Sequence, residues 1–373
     1  MLNDITGVFR RVFTVITSLL LMIAGIGGIG SSPNEPKVKN VILFIGDGMG
    51  ENHLEWTKEE LGVDLVLDTL PIQGYSETAD YLGLVTDSAA GATALACGVR
   101  AISGSIGVYP SDLLGVFSYP MSLSELAIEK GMKAGIVTSD STSGATPAGF
   151  SAHTKSRDDE RPITLQQLRS EIDLIWGAPT DSGTNKNISE SNGFSLVTSL
   201  DDVDALPEGA KSFGQFPGKL WGLENEEGST LSDLTAKAIS LLDGEEGFFL
   251  MVEGAHIDKN SHANNKEGMM EAVQEFDKTL QVALDFAQAD GETLIVVTAD
   301  HETGAIKKTN GQFGFTSGSH SGVNVPLRVY GVESFIETGA SMKNRMIPVY
   351  IADKLGCEKD EFPRQIYATA FEF

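Results

Sequence analysis

The sequence predicts an α/β fold, a three-layer α/β/α sandwich around a mainly parallel central sheet. Two observations carry that prediction. Apolar, β-branched runs recur along the chain and alternate with stretches of helical spacing. Several of these runs also end on an acidic residue, and in open parallel sheets ligands gather beyond the carboxyl ends of the strands.

The first such run is VKNVILFIGDGMG, residues 38–50. It has no polar alternation, which predicts a strand buried on both faces that carries Asp47 at its tip. A helical pattern over Leu123 to Lys130 precedes a strand at Ala134 to Thr138, and another over Leu231 to Leu242 precedes Phe248 to Val252, with Glu253 next. A long amphipathic stretch from Lys266 to Gln288 leads into TLIVVTADHE, whose strand delivers Asp300. Residues 178–230, rich in Ser, Asn, Gly and Glu, show weak periodicity and read as an irregular excursion over the surface. The folded domain is expected from about Val38 to Tyr350, with the tail after Cys357 packed at an edge.

Composition narrows the function. With 373 residues and 41% hydrophobic content, the chain can bury one large core or two modest ones. Its formal net charge of −25, with no basic patch, excludes a nucleic-acid polymer as partner, because backbone phosphates need clustered basic residues. Residues 1–32 differ from the rest. Arg10 and Arg11 precede an apolar run from Val12 to Ala24, followed by Gly and Ser, which is the pattern of a signal peptide and predicts a periplasmic or secreted protein. The run also approaches the roughly 20 residues a membrane-spanning helix needs, so an N-terminal anchor is the alternative. Cys97 and Cys357 are too few for a disulfide framework and are expected to be free.

Three of the six histidines fall in settings that suit metal ligation. Asp258 and His262 are four apart, which puts both on one face of a helical turn. Asp300 and His301 are adjacent at a strand end, and His320 lies in the loop GSHSG. Imidazole and carboxylate together are the ligands of catalytic zinc. A nucleophile is available in TDSAAGATA, where Ser88 begins a run of helix formers behind Thr86 or Asp87 as a cap. A hydroxyl there faces unpaired N–H groups and the positive end of the helix dipole, where phosphate settles. The start of a purely structural helix would read the same way.

GDGMG at 46–50, TDSAAGATA at 86–94, ATPAGFSAHTKSR at 145–157, EGAHIDKNSHANN at 253–265, TADHETG at 298–304 and GSH at 318–320 resemble, in order, the motifs of the alkaline phosphatases. The resemblance implies that residues 33–373 form an alkaline phosphatase catalytic domain that hydrolyses phosphate monoesters, and that the protein is a homodimer without the large insertions of some members. It implies a first Zn2+ held by Asp258, His262 and His320, and a second held by Asp47, Asp300 and His301. A Mg2+ would be held by Asp47, Thr146 and Glu253. Ser88 matches the nucleophile that forms a phosphoserine intermediate, and Arg157 the arginine that grips phosphate. Lys259 matches a phosphate-contacting position that is lysine in some members. His153 matches a position outside the metal ligands. His256 lies between two predicted ligands with its direction open, and His53 is expected at the surface.

The chemistry suits these roles. Phosphoryl transfer calls for neutralising the transferring group and the oxygens on either side of it, which two zinc ions roughly 4 Å apart can do. One departure stands out: the family usually has an acid or a histidine two residues before Thr146, and this chain has Gly144. The third site is therefore expected to be weaker or more hydrated, and Lys259, without that neighbour, freer to reach phosphate. Among relatives with this metal core, sulfatases need Pro and Arg after the modified residue, which TDSAAGATA lacks, and diesterases tend to use threonine and lack the TKSR arginine. Ser88 with Arg157 favours monoesters over both. A non-catalytic protein that binds zinc or phosphate is the rival from another class, but it would have no use for a hydroxyl poised at a helix start.

Overall fold

In the computed structural model, which describes residues 38–111, 116–180 and 186–366, all seven residues of the first strand, β1 (Asn40–Gly46), are buried. Its side chains alternate between two cores. Ile42 and Phe44 point into one, and Val41, Leu43 and Ile45 into the other. That division explains the unbroken apolar run, since a strand covered on both faces has no solvent side to make polar.

The ten-stranded sheet continues, in chain order, with β2 (Ile72–Glu77), β3 (Lys133–Ser141), β4 (Leu174–Ala178), β5 (Phe194–Val197), β6 (Lys211–Gln215), β7 (Phe248–Gly254), β8 (Thr293–Thr298), β9 (Val325–Tyr330) and β10 (Ser341–Lys343). Across the sheet the order is β10-β2-β9-β8-β1-β7-β3-β4-β6-β5. Every neighbouring pair is parallel except the two made by β9, which alone runs against the rest.

Helices cover both faces. The labelled ones are α1 (Glu51–Leu61), α2 (Ser88–Cys97), α3 (Leu123–Glu129), α4 (Ala145–Gly149), α5 (Leu231–Leu242), α6 (His256–His262), α7 (Lys266–Asp290) and α8 (Ile347–Lys354). Leu234 and Leu242 of α5 and Met269, Val273, Phe276 and Leu280 of α7 fill the core on the Phe44 side. Leu95 of α2, Leu123 and Leu126 of α3, and Ile347 and Ile351 of α8 fill the other. The expected three-layer α/β/α arrangement is the result. The termini follow local chemistry: Asn265 caps α7 by accepting from Gly268 N, and Gly291 ends it in a left-handed conformation at φ 76°.

Residues 178–230 are more regular than the sequence predicts. They contain β5 and β6, which extend the sheet to its edge, and short helices at Lys186–Ser191 and Leu200–Asp204. These elements span only four to six residues, too few for a period to emerge from polar surroundings, yet Phe194, Val197 and Phe213 are buried. The tail does pack back, with Phe362 buried and Met121 N donating to Arg364 O (2.8 Å). Cys97 and Cys357 are free. The proposed signal peptide or anchor at 1–32 lies outside the described residues, and among those residues no helix is long and apolar enough to cross a membrane.

The register aligns the strand ends. Ile45 of β1 pairs with Thr298 of β8 on one side and Glu253 of β7 on the other. Asp47 and Asp300 therefore lie two positions beyond one common level, and Glu253 lies on it. Phe44 is fully buried and meets Phe276 edge to face at 5.7 Å between centroids. Phe44→Ala should lower stability by about 3–5 kcal/mol through lost burial and a residual cavity. Urea unfolding would measure it, and a loss below about 1 kcal/mol would show that Phe44 is not packed against α7 as described.

Candidate metal and active site

Three adjacent strands, β8, β1 and β7, release Asp300, Asp47 and Glu253 into one buried space. The loop after β1 passes close against α6, and Gly48 makes this possible. Its φ is 72°, and a Cβ there would lie 2.8 Å from Asp258 Cα. Gly48 N also donates to Asp300 Oδ1 (3.1 Å), tying two strand ends together.

The other predicted ligands converge on the same place. Asp258, His262 and His320 bring ligand atoms within 4.8 Å of one another, and so do Asp47, Asp258 and His301. Asp300 Oδ2 lies 3.2 Å from His301 Nε2. Asp258 thus stands between the two groups.

Each imidazole is turned so that Nε2 faces the cluster. His262 Nδ1 donates to Gly318 O (2.7 Å) and His320 Nδ1 to Thr86 O (3.0 Å). A carbonyl can only accept, so both rings carry a proton on Nδ1, and in the neutral form each turns an Nε2 lone pair toward the other, 3.1 Å apart. Thr303 Oγ1 donates to Asp258 and faces His301 Nδ1 at 3.3 Å, which again leaves Nε2 of His301 as the lone-pair end. That nitrogen looks toward Asp300 Oδ2 and Asp47 Oδ1, at 3.2 and 3.7 Å. Lone pairs facing lone pairs and carboxylates repel unless cations stand between them.

The buried oxygens give the same indication. Asp47 Oδ1, Asp300 Oδ2 and Thr146 Oγ1 are buried without a hydrogen bond of good geometry. Burial, followed by the charges of Asp300, Asp258 and Glu253, holds the Asp47 carboxyl well above the usual range. Burial also raises Asp300, and it pushes Glu253 up to about 7, with Asp140 adding to the rise. Burial and the neighbouring His320 drive His301 down to about 3. The donor set of carboxylates and neutral imidazoles fits divalent cations, with the all-oxygen group around Glu253 and Thr146 suited to a harder ion.

Ser88 opens α2 and is buried, with Oγ 3.2 Å from His301 Nε2. Asp87 is the cap: Oδ1 accepts from Ala90 N (3.0 Å), while Oδ2 accepts from Gly104 N (2.9 Å) and from Arg157 Nη1 (3.2 Å). Arg157 is thereby fixed beside the helix start, close enough for its charge to act on Asp47. Thr146 sits on α4 beside Glu253.

Two expectations need correction. His53 is fully buried instead of lying at the surface. It faces inward from the first turn of α1, its Nδ1 accepting from Gly50 N (3.1 Å) and its Nε2 meeting Ser261 Oγ (3.0 Å), and burial lowers its pKa to about 3. Lys259, expected to be freer to reach phosphate without a side chain at 144, is instead held by Asp140 at 2.5 Å. His153 pairs with Glu125 (3.2 Å) and with Gly107 O, while His256 stacks on Trp221 at 5.0 Å, so neither is among the clustered ligand atoms. Sequence reading missed Thr303 and Asp140 as site residues. Thr303 stands inside TADHETG, two residues after His301, where a hydroxyl can orient the ring. Nothing in the spacing signals Asp140.

Comparison with known proteins identifies the family. A family model described as alkaline phosphatase matches residues 38–173 and 214–313. Alkaline phosphatase H of Pseudomonas aeruginosa is 34% identical over 344 residues, covering 72% of this chain and 70% of its own. The structure of alkaline phosphatase from the Antarctic bacterium TAB5 superimposes with a TM-score of 0.75 at 29% identity, covering 87% of this chain and 99% of that one. A mutant of the TAB5 enzyme, with Mg bound in its M3 site, superimposes with the same score and coverage. The chain belongs to the alkaline phosphatase family and is a phosphoric monoester hydrolase.

Proposed function

We propose that the chain hydrolyses phosphate monoesters through a phosphoserine intermediate on Ser88, with two zinc ions and one magnesium ion as cofactors. The observation that carries this reading is Ser88 Oγ at a helix N-terminus, 3.2 Å from a histidine nitrogen of the Asp/His cluster. Asp258, His262 and His320 would hold one zinc, and Asp47, Asp300 and His301 the other. Asp47, Thr146 and Glu253 would hold magnesium. When bound, the zinc ions supply Lewis acidity at the serine oxygen and at the departing oxygen, and magnesium supplies further positive charge.

The protein's own groups do the rest. The N-terminus of α2 offers unpaired N–H groups and a positive dipole to the substrate phosphate. Arg157, held through one nitrogen by Asp87, keeps other N–H donors for the equatorial oxygens. Lys259 adds a second cation at the rim, where its side chain is about half exposed. Ser88 Oγ forms a bond to phosphorus as the ester P–O bond breaks, and the alcohol leaves with a proton. Water then attacks the phosphoserine, the P–Oγ bond breaks, and phosphate and the serine hydroxyl are regenerated.

The wider proposal keeps residues 33–373 as the catalytic domain of a secreted or periplasmic homodimer. The composition of residues 1–32 supports export, and the family resemblance supports the dimer.

Ser88→Ala should lower release of nitrophenol from p-nitrophenyl phosphate by at least about a thousandfold, as loss of a nucleophile does. Acid quench of the native enzyme with substrate should give a phosphorylated Ser88 peptide in mass spectrometry. Turnover undiminished in the variant would sink the serine mechanism. Chelation should abolish activity and zinc should restore it, and a chelated enzyme that keeps working would remove the metals from the reaction.

Stability of the metal-free protein should depend on pH in a specific way. Below pH 6.5 the lowered histidines and the raised carboxylates oppose each other: His53, His256 and His301, at about 3, 4 and 3, resist protonation in the folded state, while Asp47, Asp300 and Glu253 keep protons the unfolded chain would release. By about pH 7.5 these histidines are largely neutral in both states. Only groups with raised folded pKa values still contribute, chiefly Glu253 and Asp47, with His153 raised by its Glu125 partner acting in the same direction. Their contribution is lost as pH rises, so the Tm of the chelated protein should fall between about pH 7.5 and 8.5. Zinc and magnesium should abolish the fall. A Tm that rises across that interval without metal would contradict the electrostatic account.

A further inference from the structure

Gly144 removes a side chain from the proposed magnesium site, yet the space is not left without charge. A Cβ on residue 144 would lie 3.0 Å from Ser141 O and 3.6 Å from Asp140 Oδ2, so a carboxylate stands in contact with the position that side chain would start from. Asp140 belongs to none of the family motifs. It arrives from β3, whose Thr138 pairs in register with Glu253 of β7, and it follows two positions beyond that level. Thr138 links the two acids, since its hydroxyl donates to Glu253 and accepts from Asp140 N (3.0 Å).

The two oxygens of Asp140 face different tasks. Oδ1 pairs with Lys259 Nζ at 2.5 Å, and Oδ2 turns to the Gly144 side. A second observation marks the space as a ligand site. Thr146 Oγ1 lies beside Glu253, is almost wholly buried, and meets no hydrogen-bond partner of good geometry. A buried hydroxyl beside Glu253, with Asp140 Oδ2 free of the lysine that holds Oδ1, fits a hard cation that retains part of its hydration shell.

We propose that Asp140 completes the cation site of Asp47, Thr146 and Glu253 from a new position in the chain, gripping the hydration shell of magnesium through Oδ2 while Oδ1 holds Lys259. This rests on the magnesium reading given above. It goes further in assigning a residue that the family motifs do not contain, and in coupling the cation to Lys259. The ammonium and the cation draw on one carboxylate, so each weakens the other's hold on it.

The zinc-loaded protein titrated with MgCl2 in a calorimeter tests the assignment without using activity. The native protein should take up one equivalent of Mg2+. Asp140→Asn should bind it at least about tenfold more weakly, as loss of an outer carboxylate does at metal sites. Lys259→Ala should bind it several-fold more tightly, and Asp140→Asn combined with Lys259→Ala should behave like Asp140→Asn alone. Melting of each zinc-loaded variant reports whether it is folded. Native binding with an unchanged Asp140→Asn affinity would remove Asp140 from the site and leave the magnesium reading standing. A tightening by Lys259→Ala that survives in the double variant would break the coupling. No Mg2+ uptake by the native protein would overturn the magnesium reading and this assignment with it.

Discussion

Asp47, Glu253 and Asp300 emerge from three neighbouring parallel strands into a space from which water is largely excluded, and their mutual repulsion is the constraint that the rest of the site answers. Carboxylates that close cannot all stay ionised in a low dielectric unless positive charge stands among them. Without cations such a group can keep protons on some of its members, and burial raises the pKa of all three acids in that direction. The fold gives them little room to move apart. Their backbones are fixed by the register of β8, β1 and β7, and Gly48 N holds one oxygen of Asp300. Positive charge placed among them would relieve that repulsion.

The imidazoles are prepared for the same ions. A histidine at a strand end could orient either nitrogen inward, and here the choice is made by fixed acceptors. Gly318 O and Thr86 O set the tautomers of His262 and His320, and Thr303 orients His301. These partners do not touch the proposed ions. They decide whether a ring can serve as a ligand, which is why a site described only by its ligands is incomplete. His53 works at one further remove, tying Gly50 of the first motif to Ser261 of α6 so that the loop bearing Asp47 and the helix bearing Asp258 keep their spacing.

Much of this was legible in the sequence because parallel sheets write their function at strand ends. The unbroken apolar run into Asp47 and the TLIVVTADHE run into Asp300 signalled both fold and ligands, and the four-residue spacing of Asp258 and His262 placed them on one helical face. What escaped had weaker local signals. β5 and β6 are too short to display a period, and edge strands need burial on fewer residues. His53 sits in a helix whose polar composition suggests exposure, although its inward direction is fixed by the turn before it. Asp140 escaped for a different reason. Its partner Lys259, and Glu253 reached through Thr138, come from other parts of the chain, and no motif or period connects them to it.

A chain of net charge −25 that must attract a phosphate dianion faces a second problem, and it is solved by pairing. Arg157 is held by Asp87 and Lys259 by Asp140. Each pair costs part of the cation's attraction for phosphate, since the acid neutralises some of its field. Each also keeps a long, flexible side chain pointed at one place in the absence of substrate, which reduces the entropy lost on binding. For Arg157 the exchange favours binding, because the planar fork spends one nitrogen on Asp87 and retains the others. For Lys259, a single ammonium, the balance depends on how strongly Asp140 is drawn elsewhere. If the proposed cation takes a share of Asp140, the ammonium is released toward phosphate when the site is loaded and withdrawn when it is empty. Losing the side chain at 144 then does more than relocate a carboxylate, because the same acid governs both the hard cation and the lysine at the rim.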